Sequence, residues 1–207
     1  MWSSTEPRIR RGPPPVKRLT RRNYRNVAID ALRRDFEDRC AYSCQHLKRA
    51  GGLKAMEIDH FDPRLKGKLI QRYDNLFLAT RHCNAAKGDT WPTRAEERLG
   101  LRFLNPCMEL DYGGHIFEDP HTHLLVGVTP AGRFHIRMLD LNAGHLVAER
   151  RERAEISQLL ANAPFTLRTG RSPDSLTDLV RALREQLEEM IPELPVLPRV
   201  PQSRHIP

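Results

Sequence analysis

The sequence predicts an α+β fold: a small, irregular central unit flanked by helices, with a C-terminal β-hairpin and helical annex. Three observations predict it. Residues 24–38 carry apolar side chains at helical spacing. Residues 40–92 mix Cys, His and Asn with short apolar runs, which suits a small irregular site-bearing unit. Further downstream, two strand-like runs bracket a Pro/Gly turn and are followed by more helical pattern.

Taken in order, the first 22 residues form a basic arm. Residues 1–25 hold eight Arg and Lys against one acid, Glu6, a charge of +7. The rest of the chain balances to +1. Pro13, Pro14 and Pro15 make the arm extended and flexible up to about Thr20. Concentrated positive charge marks a polyanion partner, because binding phosphates releases their counterions; a solubilising tail is the other reading. Arg18, Arg21 and Arg22 are the candidate nucleic-acid contacts. Val27, Ala31, Leu32 and Phe36 then define a short amphipathic helix that stops before Cys40. Residues 23–92 form the site-bearing core.

Residues 93–191 form the annex. Thr93 to Leu99 reads as a helix, and Pro106 closes the segment after it. Leu124 to Val128 and Arg133 to Met138 read as two strands joined by a turn at Thr129-Pro130-Ala131-Gly132. Asn142 reads as the cap of a helix carrying Leu146, Val147, Ile156, Leu159 and Leu160. Ser172-Pro173-Asp174 opens a last helix. Leu176, Leu179, Val180, Leu183, Leu187 and Met190 line one of its faces, as core or as a partner interface. Residues 192–207 are a Pro-rich tail. There is no internal repeat.

The 207 residues suit one compact domain with an annex, and 39% hydrophobic content is enough for a core. No apolar run approaches the roughly 20 residues of a membrane span. The first residues lack the apolar stretch of a secretory signal, so the expected location is the cytoplasm. There, four cysteines are free, buried or metal-bound rather than paired.

The chemistry concentrates in Glu57-Ile58-Asp59-His60-Phe61-Asp62-Pro63, Tyr73-Asp74-Asn75-Leu76-Phe77-Leu78 and His82-Cys83-Asn84-Ala85-Ala86-Lys87-Gly88-Asp89. Hydrolysing a phosphodiester requires a group that takes a proton from water near neutral pH, and His is suited to that. It also requires a cation to neutralise developing charge, and a hard cation prefers carboxylate and amide oxygens. His, Asp, Asn and Lys all fall within this short window.

This arrangement resembles the HNH, or ββα-metal, endonucleases, whose pattern runs Asp-His, a spacer ending in Asn-Leu, a short strand, then Cys-(His or Asn)-x-x-Lys-Gly. The third signature residue is Asn84, so the likeness is to the His-Asn-Asn variant. The resemblance implies a central ββα-metal unit. It makes His60 the general base, with Asp59 and Asn84 as ligands of a catalytic Mg²⁺, Mn²⁺ or Ni²⁺. It has Asn75 fix the loop between the strands, and therefore His60, and sets Lys87 on a helix docked against the phosphate backbone. HNH proteins often carry a structural zinc on two Cys-x-x-Cys pairs. Here Cys40, Cys44 and Cys83 are present but the fourth position is Thr80. The choice lies between zinc on three Cys with His46 or His82, and three buried thiols packed as small hydrophobes. Cys107 lies outside the pattern.

More loosely, Arg102 to Pro106, the Gly127 to Gly132 run and Leu139 to Arg150 resemble the region that follows the HNH site in bacterial proteins, some of them from anti-phage defence systems. His115, His121, His123 and His135 read as polar turn and strand-surface residues. Three functional expectations follow: a metal-dependent endonuclease acting on DNA, a non-catalytic nucleic-acid-binding module of the same shape, or a nuclease subunit active only with a partner such as an ATPase or sensor.

Overall fold

A computed structural model describes residues 7–161, with side chains through residue 158. The expected last helix and Pro-rich tail lie outside the described residues. Helix α1 spans Tyr24–Asp35. Tyr24, Ala28, Leu32 and Phe36 are buried, one step of the α-helix apart, and form its core face. A one-turn helix α2, Leu47–Ala50, leads through a 3₁₀ turn into strand β1, Met56–His60. A 61–72 loop and a 3₁₀ turn at Tyr73–Asn75 bring the chain back along β2, Leu76–Thr80.

β1 and β2 pair antiparallel, Met56 opposite Thr80 and His60 opposite Leu76. Every residue of β2 is buried. It lies between α1 on one side and the helix that follows it, α3, Arg81–Lys87. Thr80 caps α3 by accepting from the Cys83 N–H. Helix α4, Arg94–Arg98, starts with a capping box between Thr93 and Glu96.

The annex departs from the sequence expectation. The strand-like run Arg133 to Met138 is helical: α5 spans Pro130–Met138. The residues expected to make a turn start this helix instead. Thr129 is the N-cap, accepting from the Gly132 N–H, and Pro130 stands in the first turn, where its missing N–H costs nothing. Ala131, Phe134 and His135, at helical spacing, face inward. The alternation of Phe134, Ile136 and Met138 mimicked a strand. A hairpin does form, from two three-residue strands: β3, Ile116–Glu118, pairs antiparallel with β4, Leu125–Gly127. Helix α6 follows, Gly144–Ala161. Asn142 is not spent on capping it. The Asn142 amide bonds both the N–H and the carbonyl of Leu125, and Arg150 donates to it as well.

One apolar cluster runs through both parts of the chain, joining Leu32, Phe36 and Phe77 to Phe103, Phe134, Leu139 and Leu141. The basic arm is also revised. In its described part Arg8 donates to the Ala41 carbonyl, Ile9 N–H to Pro106 and Gly12 N–H to Asp35. That stretch packs on the core rather than hanging free. His135 is buried, not on the surface. It accepts from the Leu104 N–H at 3.0 Å and meets the Tyr112 hydroxyl at 2.9 Å. Among the described residues no helix is long and apolar enough to cross a membrane.

Candidate active site

β1 sends alternate side chains to opposite faces. Glu57 and Asp59 point toward α3, and the three α3 residues that meet them, Arg81, Asn84 and Lys87, recur every third position. Asn84 donates to Glu57 at 2.6 Å, and Arg81 donates to the other Glu57 oxygen. Lys87 donates to Asp59 at 3.0 Å and to the His60 carbonyl at 2.9 Å. The second Asp59 oxygen accepts from the Tyr42 hydroxyl. Burial, then the Asp59 charge, pushes the Tyr42 phenol well above its ordinary range, so it remains a donor.

His60 takes the other face. Its ring lies 5.1 Å from that of Tyr24. Its Nε2 is buried and has no hydrogen-bond partner. An unpartnered buried nitrogen costs on the order of 1–3 kcal/mol, and in native proteins such atoms concentrate where function requires them. Burial lowers the imidazole's affinity for a proton more than Asp59 raises it, and Lys87 and Arg25 add to the lowering. The ring is therefore neutral at pH 7, the form that accepts a proton.

The strand end carrying His60 is tied down by Asn75. The Asn75 Oδ1 accepts from the Asp62 N–H at 2.8 Å, its Nδ2 donates to the Ile70 carbonyl at 3.1 Å, and its backbone carbonyl accepts from the Phe61 N–H at 2.9 Å. Both chain segments leaving the hairpin are thus bonded to one residue.

Lys87 does not present a charge to an external phosphate. It is fully buried, with its ammonium on Asp59. Exposed cations stand instead at and just before the start of α1, where Arg18, Arg21, Arg22 and Arg25 are all exposed. Arg25 donates to the Tyr24 hydroxyl at 3.1 Å, and its charge is felt by both His60 and Glu57. The α1 start thus brings Arg25 near the His60 ring. Local pattern did not single out Tyr24, Arg25, Tyr42 or Glu57. Only Glu57 carried a usable signal, two residues before Asp59 on a strand and so on the same face.

The oxygen donors Glu57, Asp59 and Asn84 suit a hard divalent ion, which needs few protein ligands when it keeps several waters. Asp59, however, already has Lys87 as its counter-charge. Among the described residues no group of three or more His, Cys, Asp or Glu side chains is arranged to hold a metal. That applies to the alternative of a zinc on Cys40, Cys44 and Cys83 as well. The Cys40 and Cys83 side chains are hydrogen-bonded to each other, and the Thr80 hydroxyl donates to Cys40, filling the fourth corner. Burial pushes the Cys40 thiol up, but these bonds and one from Ser43 outweigh it and bring it to about 5, while Cys83 is pushed well above its usual value. His46 is spent capping α2 through the Lys48 N–H, and His82 meets the Asp140 carbonyl. None of the four cysteines is paired in a disulfide, and Cys107 accepts from Arg11.

Residues 38–90, roughly a quarter of the chain, match the family model of the HNH endonucleases. The match takes in β1, β2 and α3 and every residue of the site except those of α1 and of the arm before it. The chain thus carries an HNH domain, its ββα unit, within an α+β fold. Neither the curated proteins nor the solved structures give a match.

Proposed function

We propose that this protein is a divalent-metal-dependent endonuclease that hydrolyses phosphodiester bonds in nucleic acid, DNA above all. The carrying observation is His60, held neutral by burial, unpartnered at Nε2 and set near the exposed Arg25. In this reading Glu57, Asp59 and Asn84 would hold Mg²⁺, Mn²⁺ or Ni²⁺, which when bound would supply positive charge to offset the negative charge that hydrolysis develops. His60 takes the proton of the attacking water. Asn75 keeps the His60 strand end in place. Arg18, Arg21, Arg22 and Arg25 bind the phosphate backbone.

A nicking and linearisation assay on supercoiled plasmid, run across Mg²⁺, Mn²⁺, Ni²⁺ and Zn²⁺, tests it. His60→Ala should lower cleavage by about 10²- to 10⁴-fold and leave DNA binding intact. A wild-type protein that cuts under none of these ions defeats the reading.

The Lys87–Asp59 pair favours a second reading, in which the isolated chain rests with its carboxylate closed. Such a chain is a nuclease subunit that opens only with a partner, such as an ATPase or sensor, or is a binding module alone. Cleavage that appears only when neighbouring gene products are added singles out the first of these. A role in anti-phage defence rests on the downstream likeness to bacterial defence proteins, and phage plating with and without His60 tests it.

A further inference from the structure

The basic arm divides in two. Its later residues, Arg18, Arg21 and Arg22, are exposed. Arg11 is not spent that way. Its Nη1 donates to the Tyr73 carbonyl at 2.8 Å, its Nη2 to the Leu76 carbonyl at 2.8 Å and its Nε to the Cys107 sulfur at 3.3 Å. All three nitrogens of the fork are used. The flat guanidinium lies against three rings, those of Phe36, Tyr73 and Phe77, at 5.1, 5.1 and 4.8 Å.

The two carbonyls flank Asn75. Leu76 is also the residue directly across the strand pair from His60. The neighbouring bonds lock the same corner. Gly12 N–H and the Tyr73 hydroxyl both donate to the buried Asp35 at the end of α1. The arm, α1 and the Tyr73–Asn75 turn are therefore stitched together behind the strand end that carries His60.

We propose that Arg11, outside the segment matched to the HNH family, is a positioning residue for the His60 site. Its fork clamps the turn around Asn75, and through Asn75 and Leu76 fixes the Phe61–Asp62 backbone and the register of His60. An ammonium cannot bridge two carbonyls in a plane and stack on rings at once. The segment around Arg11 is on this account a strap of the active site, whereas residues 17–22 are its phosphate-binding part. The catalytic arm of the test rests on the nuclease reading above; the amide-exchange arm does not.

The experiment compares wild type, Arg11→Lys, Arg11→Ala and the double variant Arg21→Ala/Arg22→Ala. Residue-resolved amide exchange follows Phe61 and Asp62, both of which donate to Asn75. Plasmid cleavage gives kcat and KM, and DNA binding is measured separately. Thermal melting shows that each variant is folded at the assay temperature. For Arg11→Lys, exchange at Phe61 and Asp62 should accelerate. Its kcat should drop by about 10- to 100-fold, since small misplacements of a reacting group cost that much, while DNA binding stays within about twofold. Methylguanidinium should restore part of the kcat of Arg11→Ala. The double variant should show the reverse, weaker binding with normal exchange. Unchanged protection of Phe61 and Asp62 in Arg11→Lys overturns the proposal, as does weakened DNA binding with kcat intact. If wild type cuts no nucleic acid, the nuclease reading fails, and the exchange data still decide whether Arg11 clamps the turn.

Discussion

Two parts of this chain have the same local plan and opposite contents. In each, an antiparallel strand pair runs straight into a helix capped by threonine, Thr80 before α3 and Thr129 before α5. In the first unit charged and polar side chains fill the space between helix and strand: Glu57 and Asp59 face Asn84 and Lys87. In the second the backbones meet. A Cβ on Gly132 would lie 2.1 Å from the His115 carbonyl oxygen, and one on Gly127 would lie 2.3 Å from the Arg133 nitrogen. Glycine lets helix and strand touch, leaving no gap that could hold a reaction. His135, the inward titratable group of α5, is locked between Leu104 and Tyr112. A shared scaffold becomes a candidate site only where side chains rather than glycines set the spacing.

Lys87→Met strikes hardest at the first unit. It leaves Asp59 buried without a counter-charge, and removing one partner of a buried pair costs about 3–5 kcal/mol. The denaturant midpoint should fall accordingly. If Mn²⁺ then recovers much of the loss, an ion can take the ammonium's place on Asp59; no recovery would make Asp59 purely structural and sharpen the likeness to the second unit.

Gly132→Ala tests the closed unit in the same way. Forcing a methyl against the facing backbone costs about 1–3 kcal/mol, read as a lower Tm, with plasmid cleavage by the folded fraction unchanged. A variant as stable as wild type would mean that α5 is free to move away from β3.

The two units also differ in their response to acid. Burial pushes the His135 imidazole down to about 3. The unfolded chain protonates this residue below pH 6.5 and the folded chain does not, so stability falls as pH drops from 6.5 toward 3. The slope is roughly 1.4 kcal/mol per pH unit. His135→Gln retains a hydrogen-bonding group but cannot titrate, so the difference in denaturant midpoint between about pH 7 and about pH 5.5 should shrink. An equal pH dependence in both proteins would contradict a buried neutral His135.

The smallest effect belongs to the exposed cations beside the first unit. Removing a single phosphate-binding cation, as in Arg21→Ala or Arg22→Ala, should flatten the slope of log K against log salt by about 0.9 on duplex DNA. An unchanged slope would take these arginines off the nucleic-acid path.

Much of the first unit was legible because its parts are close in sequence. Asp59 with His60, Asn75 before an unbroken apolar strand, and Asn84 with Lys87 on the next helix turn all lie within a short stretch of chain. Their order resembles the HNH pattern, and that resemblance implies the ββα unit that the family match covers. The direction of a long side chain was not legible. Lys87 occupies a position where an outward charge is expected, yet the tertiary fold presses α3 onto β1 and turns its ammonium inward to Asp59 and the His60 carbonyl. In the second unit Thr, Pro and Gly were ambiguous, since the same residues make a hairpin turn or start a helix. The burial of Ala131, Phe134 and His135 on one face decided for the helix.

By itself the sequence determined the order in which carboxylates, imidazole and amides stand, the helix of α1, and the apolar run that opens β2. These follow from periodicity and short-range spacing, which a chain carries locally. Tertiary structure alone decided what surrounds that chemistry. Arg11 bonds carbonyls 62 and 65 positions away, Tyr42 reaches Asp59, and Tyr24 brings Arg25 to His60. No window of local pattern contains such pairs. They exist because closing one apolar core brings remote backbone groups together, and buried polar groups must then find partners among whatever the fold has placed beside them.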